Sequence, residues 1–224
     1  MKRSWLAVLA AVLTACSSGS HGSAGAPSGT TDPIAFPLFA GADVLSSHSW
    51  HRTIVAQPGA TDRTIFAQGA GTYDGHDVVA GTQALMPALE AWLGDLTAHP
   101  PADYTIAVTG NTIDTVRTHT RELGFDFQAF TKMDNGKRHG VVVMAVDPQM
   151  LDQKAGSMLA LIGRFKYVPK SLRDPVDLQV KRATGFSLTE ATNPDTPIGA
   201  AVAALDELRD FGGRGIVLID AVKQ

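Results

Sequence analysis

The chain has 224 residues, a formal net charge of −3, 44% hydrophobic residues and a single cysteine. One cysteine excludes an intramolecular disulfide, so the fold depends on packing alone, and the apolar content is sufficient for one core. The slightly acidic balance and the few pairings of basic with aromatic residues predict no nucleic-acid partner.

The first residues have the layout of a secretory signal. Lys2 and Arg3 precede an apolar stretch over residues 5–13, which is too short to span a bilayer. Leu13-Thr14-Ala15-Cys16 resembles the lipobox of bacterial lipoproteins. The resemblance implies that residues 1–15 are a signal peptide and that Cys16 becomes the lipidated amino terminus. By the sorting rule of that family, Ser17 implies a lipid anchor in the outer membrane, with the domain facing the periplasm.

A tether is predicted to follow the lipidated cysteine. Residues 16–33 are rich in serine and glycine and too polar to bury a core, so they should form a flexible linker. Residues 34–224 then form a single globular domain. No later stretch reaches 18 apolar residues, so the membrane contact is predicted through lipid only.

The first half of the domain alternates strand and helix patterns. Strands are predicted over 50–56, 64–67 and 76–80. A helix follows with apolar residues at helical spacing, and Pro100-Pro101 ends it. A strand over 104–108 leads to a helix that opens near Asn111 and ends at Gly124.

The second half contains the clearest turn. Residues 125–132 alternate apolar and polar and predict a half-buried strand. Asn135-Gly136 favours a type I′ turn to a partner strand over 140–146. Asp147-Pro148 and Thr196-Pro197 predict two capped helix starts, with a strand at 176–180 between those helices. The last strand, 215–222, has the composition of a strand buried on both faces.

The order β-α-β-β-α-β over about 104–182 predicts a ferredoxin-like, split βαβ arrangement. The predicted class is therefore α+β, with a mostly antiparallel sheet extended at both ends and helices on one face. This architecture serves many unrelated functions, so it does not by itself indicate one.

Four side chains could supply metal ligands: His48, His51, His76 and Asp77. Residues three apart in a strand point to opposite faces, and neither HExxH nor a paired-cysteine spacing accompanies them. We therefore expect surface or turn residues and no metal or other cofactor, with a metal site and a general-base role as the alternatives. No serine elbow or phosphate-binding loop is found in the domain, so no catalytic residue is assigned.

A basic cluster stands out in the second half: Arg164, Lys166, Lys170 and Arg173. Such clusters are usually solvated faces, and cations also favour helix carboxy termini. The functional interpretation is a patch that binds an anionic envelope component or an envelope protein.

Three function hypotheses follow. The first is a non-enzymatic, lipid-anchored envelope module that serves as a binding or assembly accessory. The second is a small periplasmic hydrolase or metal-dependent enzyme that uses the region of His48, His51, His76 and Asp77. The third is a cell-wall-binding module. A deep pocket with convergent polar groups would favour the enzyme, and a shallow groove would favour the binder.

Overall fold

A computed structural model of the chain describes residues 36–54, 71–107, 111–154, 171–175, 177–178 and 197–223, with 156, 167 and 169. The helices are α1 (Met86–Ala98), α2 (Asn111–Arg121) and α3 (Pro197–Phe211), and residues 148–154 and 171–175 are also helical. The strands are β1 (Asp43–Ile54), β2 (Gly71–Thr82), β3 (Thr105–Ile106), β4 (Phe125–Asp134), β5 (Lys137–Val146) and β6 (Arg214–Lys223).

The six strands form one sheet in the order β1-β2-β6-β5-β4-β3, and each neighbouring pair is antiparallel. The predicted α+β class and the mostly antiparallel sheet are therefore confirmed. Strands from before residue 104 and after residue 182 belong to this sheet, as expected. Strand β1 begins earlier than predicted and β2 begins at Gly71, while the predicted strand over 64–67 lies outside the described residues.

The prediction that helices cover one face of the sheet is wrong. On one face, Leu89 and Leu93 of α1 pack with Val143 and Leu218. We call it the α1 face. On the other, the α3 face, Leu208 packs with residues such as Val217. Side chains at neighbouring positions of β6 therefore lie in cores on opposite faces of the sheet. This burial on both faces was predicted for β6 only, but the other central strands have it too.

The predicted half-burial of β4 is also wrong. Asp126 is fully buried and Gln128 is 4% exposed. They share a face with Phe130, and Arg117 and Arg121 of α2 cover them through hydrogen bonds. The polar positions of the alternating β4 pattern are therefore buried, because α2 supplies charged partners for them.

The hairpin prediction is confirmed. Asn135 and Gly136 both have positive φ, 49° and 77°, as a type I′ turn requires, and Asp134 pairs with Lys137. The predicted helix start at Asp147 is confirmed too, because its Oδ1 accepts a hydrogen bond of 3.0 Å from the backbone N–H of Met150.

The ferredoxin-like order over 104–182 is not confirmed. A split βαβ unit joins parallel strands through its helix, whereas β3 and β4, on either side of α2, are adjacent and antiparallel. Residues 177 and 178, predicted in a strand, are helical. Many of the residues between 155 and 196 lie outside the described part of the chain.

Candidate functional site

Most of the predicted basic cluster falls outside the described residues. This applies to Arg164, Lys166 and Lys170, and likewise to Cys16 with its signal and tether. Only Arg173 is described; it is partly buried, and its Nε lies buried without a hydrogen-bond partner. The lipidation and the anionic patch therefore stay predictions.

The hairpin of β1 and β2 brings the predicted metal ligands to neighbouring positions without making them converge. His48 lies opposite Asp77, and His51 lies opposite Asp74. Asp77 accepts a hydrogen bond of 2.8 Å from Nε1 of Trp50, and Nδ1 of His51 lies 2.5 Å from Oδ1 of Asp74. As expected for positions three apart, His48 and His51 lie on opposite faces.

His76 is held between two serines of β1. Its Nε2 lies 2.7 Å from Oγ of Ser47 and its Nδ1 lies 2.9 Å from Oγ of Ser49. A neutral imidazole donates from one nitrogen and accepts at the other, so one serine donates to the ring and the other accepts from it. Across the described ranges, no group of three histidine, cysteine or acidic side chains is placed to hold a metal ion.

A row of titratable side chains crosses the α1 face beyond the end of the apolar core, and the sequence pattern did not reveal it. His76 is paired with Asp220, and His139 is paired with Lys132. Nδ1 of His139 lies 3.9 Å from Oδ1 of Asp220, and its Nε2 lies 3.8 Å from Oδ2 of Asp134. A protonated imidazole there can donate toward both carboxylates.

Two of the facing atoms in this row are buried without a hydrogen-bond partner: Nδ1 of His139 and Oδ1 of Asp220. Burial raises the pKa of the Asp220 carboxyl, and the charges of His139, Lys132 and His76 offset part of that rise. Oδ1 of Asp220 thus faces Nδ1 of His139 at 3.9 Å, beyond hydrogen-bonding distance.

The row ends beside an open cleft at the edge of the sheet. The cleft has a volume of about 590 Å³, within the range of about 300–1,000 Å³ typical of ligand sites. Its lining comes from the turn before β3, from the start of β3 and from the end of the β4–β5 hairpin: Asp103, Thr105, Thr131, Lys132, Met133, Asp134 and Arg138. We call it the edge cleft.

The edge cleft exists because β3 stops short of the end of β4. The last pair between these strands is Thr105 with Thr131. The preceding residues leave the sheet at Asp103, which has a φ of 67°, an uncommon conformation for a residue other than glycine. No strand among the described residues therefore pairs with the outer edge of residues 132–134, and we call this segment the free edge of β4.

The hydrogen-bonding pattern fixes which backbone groups face this edge. The N–H of Ala107 donates to the carbonyl of Ala129 at 2.9 Å, so odd-numbered residues of β4 point toward β3. Met133 therefore directs its N–H and C=O outward, one step beyond the last pair. No backbone hydrogen bond joins Met133 to the described residues before β3.

The charged side chains of the edge cleft differ in the contacts that they make with other residues. Lys132 lies over the ring of Tyr104, with Nζ 5.0 Å from the centroid, and Asp134 approaches His139. Arg138 is exposed and makes no ion pair with a described residue, and Met133 beside it is 62% exposed. A guanidinium without an ion-pair partner among the described residues, next to an exposed thioether, can bind a ligand that carries an anionic group beside an apolar one.

Comparison of the chain with family models, curated proteins and solved structures finds no match. Within the described part of the chain, no helix combines the length and the apolar character needed to cross a membrane. The functional assignment therefore depends on the chemistry of the sequence and on the geometry of the edge cleft.

Proposed function

We propose that this protein is a lipid-anchored lipoprotein of the bacterial outer membrane that faces the periplasm and acts as a non-enzymatic binding or assembly accessory. The lipobox ending at Cys16 supports the address, and the tether of residues 16–33 supports a domain held near the membrane. The seventeen residues from Ser17 to Pro33 have a root-mean-square reach of roughly 20–25 Å, enough for the domain to meet partners close to the bilayer.

The observation that carries the binding function is the edge cleft. It is open, it combines hydroxyl, thioether and charged groups, and it adjoins a segment of β4 with which no described strand pairs. A shallow surface of this kind suits the binding of a partner. Catalysis, in contrast, usually needs a pocket that excludes water and in which polar groups converge.

The binding function can be tested by site-directed photocrosslinking in cells. A photoreactive amino acid at Met133, which is 62% exposed in the edge cleft, should give defined adducts with an envelope component. The matched control is Leu85, which is 64% exposed and precedes α1 at the opposite end of the sheet. Absence of adducts at Met133, or the same adducts at both positions, would contradict the proposal.

The address is tested separately with Cys16→Ala. The variant should remain uncut and should no longer fractionate with outer membranes, because the thiol is the group to which the lipid is attached. Fractionation and mass measurement of the amino terminus would show this. Recovery of the variant in the outer membrane at the wild-type amount, after washes that remove peripheral proteins, would argue against lipid anchoring.

A hydrolase is the alternative that one specific contact favours. The 2.7 Å separation between Oγ of Ser47 and Nε2 of His76 is that of a nucleophile and its base. A fluorophosphonate probe distinguishes the two hypotheses. Labelling that is lost in Ser47→Ala and retained in Ser49→Ala would support the hydrolase, and an unlabelled wild type would leave the binding module as the proposal.

A second contact with the envelope is proposed through Arg164, Lys166, Lys170 and Arg173. Binding of the protein to anionic vesicles or to lipopolysaccharide should weaken with salt over a Debye length of about 8–10 Å. Reversal of the four charges should remove the preference for the anionic surface. Isolated cell wall is the third surface tested in this binding assay. Binding of the protein to cell wall and to neither of the other surfaces would favour a cell-wall-binding module.

A further inference from the structure

We infer that the edge cleft receives an extended peptide segment that continues β3 along β4 and places an acidic side chain on Arg138. The inference rests on the proposed binding function and names the class of its partner. Peptide addition to a free strand edge is a recurring mode of recognition in which backbone hydrogen bonds supply affinity and side-chain contacts supply specificity.

The first argument is the position of the free backbone groups. The outward N–H and C=O of Met133 follow directly after the ladder that ends at Thr105 and Thr131. A strand entering the edge cleft would form the next hydrogen-bonded pair at Met133, in the antiparallel spacing that β3 already follows. The backbone turns at Asp103, and no described residue before β3 forms a backbone hydrogen bond with Met133.

The second argument is charge. Asp134 lies 3.8 Å from His139 and Lys132 stacks on Tyr104, so Arg138 is the cation of the edge cleft that no described group engages. A guanidinium binds a carboxylate through paired hydrogen bonds. Asp103 and Asp134, which also line the cleft, would repel a second carboxylate, so the edge cleft favours a segment with a single acidic residue.

The third argument is the apolar surface beside the guanidinium. Met133 lies opposite Arg138 across β4 and β5, and its side chain is 62% exposed. A thioether adapts to different apolar neighbours. The preferred segment therefore combines an extended backbone, one acidic residue and flanking residues that are β-branched or apolar.

The test measures fluorescence anisotropy with the mature lipidated protein in nonionic detergent. The probe is a labelled heptapeptide of alternating valine and threonine with one central glutamate, and two analogues carry glutamine or lysine at that position. The glutamate peptide should bind about tenfold more tightly than the glutamine peptide, because a hydrogen bond between charged partners is stronger than a neutral one. The lysine peptide should bind more weakly still.

Two variants separate the contributions of charge and backbone. Arg138→Gln should bring the ratio of the glutamate to the glutamine affinity close to one, whereas Lys154→Gln, an exposed cation away from the edge cleft, should leave it unchanged. Met133→Pro should weaken all three peptides about tenfold or more, because it removes the outward N–H together with the thioether. Its pairing with β5 does not use that N–H, so the fold should tolerate proline there.

A peptide with alternate backbone N-methyl groups repeats the backbone test without altering the protein, and it should lose binding whether or not Met133→Pro folds. Equal affinity of the glutamate and lysine peptides, or full binding by the N-methylated peptide, would overturn the inference. Adducts from Met133 in cells together with no peptide binding would reject the peptide class and keep the binding function. Loss of both would reject both.

Discussion

The buried ionic cluster between α2 and β4 gives the sharpest prediction about stability. The Asp126 carboxylate is fully buried, and Arg117 binds it through two hydrogen bonds of 2.8 Å, from Nε and Nη2. Arg121 adds bonds of 3.0 and 2.7 Å, and the backbone N–H of Phe127 donates at 2.9 Å. Removing one partner from such a pair leaves a buried charge, which costs about 3–5 kcal/mol.

Arg117→Ala should therefore lower the free energy of unfolding by about 3 kcal/mol. The lower end of the range applies because Arg121, whose side chain is 41% exposed, still reaches Asp126. The control is Arg209→Ala. Its partner Asp152 is 43% exposed, and a surface pair of this kind contributes less than about 1 kcal/mol.

Urea unfolding of the two variants and the wild type supplies the comparison, with the midpoint and the m-value fitted separately. Adding Asp126→Asn to Arg117→Ala should recover part of the loss, because the unpaired charge is then gone. If Arg117→Ala costs no more than Arg209→Ala, or if Asp126→Asn deepens the loss, the cluster does not hold a buried charge as argued.

Three further predictions concern the sheet. Gly136→Val places a β-branched residue at a φ of 77° and should destabilise the protein by about 1–3 kcal/mol, and an unchanged melting temperature would contradict the type I′ turn. Gly75→Ala should cost about 1–3 kcal/mol and change the Trp50 fluorescence, since a Cβ at Gly75 would lie 1.9 Å from the indole; an unaltered emission spectrum would show that the ring does not cover this glycine. Asp220→Asn should stabilise the protein at pH 7. Because burial raises the native pKa of Asp220 above its unfolded value, the native state binds more protons in that window and loses stability as pH rises through it. The gain from Asp220→Asn should shrink as pH falls toward 3.8, and a gain independent of pH would refute the assignment.

Several local features could be predicted because short-range chemistry decides them. Asn135-Gly136 tolerates positive φ at both positions, so the turn and the register of β4 and β5 follow from it. Asp147 can cap a helix because its side chain reaches the N–H of Met150 within one turn. Each of these depends on residues within a few positions of one another, and tertiary contacts did not override them.

The edge cleft could not be predicted in this way. The strand pattern places the start of β3 near residue 104, but it does not show that β3 pairs with β4 or that β4 extends three residues past Thr131. Asp220 and His139 are 81 positions apart in the sequence but approach within 3.9 Å, because β6 inserts between β2 and β5. Alternation of apolar and polar residues shows which side chains of a strand share a face, but it does not show which other strand lies beside it.

The hairpin, the helix start at Asp147 and the burial of β6 on both faces follow from the sequence alone, and the resemblance to a lipobox supplies the expected lipid address. The coverage of both faces of the sheet and the burial of Asp126 beneath two arginines depend on tertiary contacts. The same holds for the edge of β4 near Arg138, with which no described strand pairs beyond Thr131. The two groups of features differ in how far apart in the sequence the interacting residues lie. Turns and caps are settled by bonds within a few residues, whereas strand order and burial depend on which distant surfaces exclude water together.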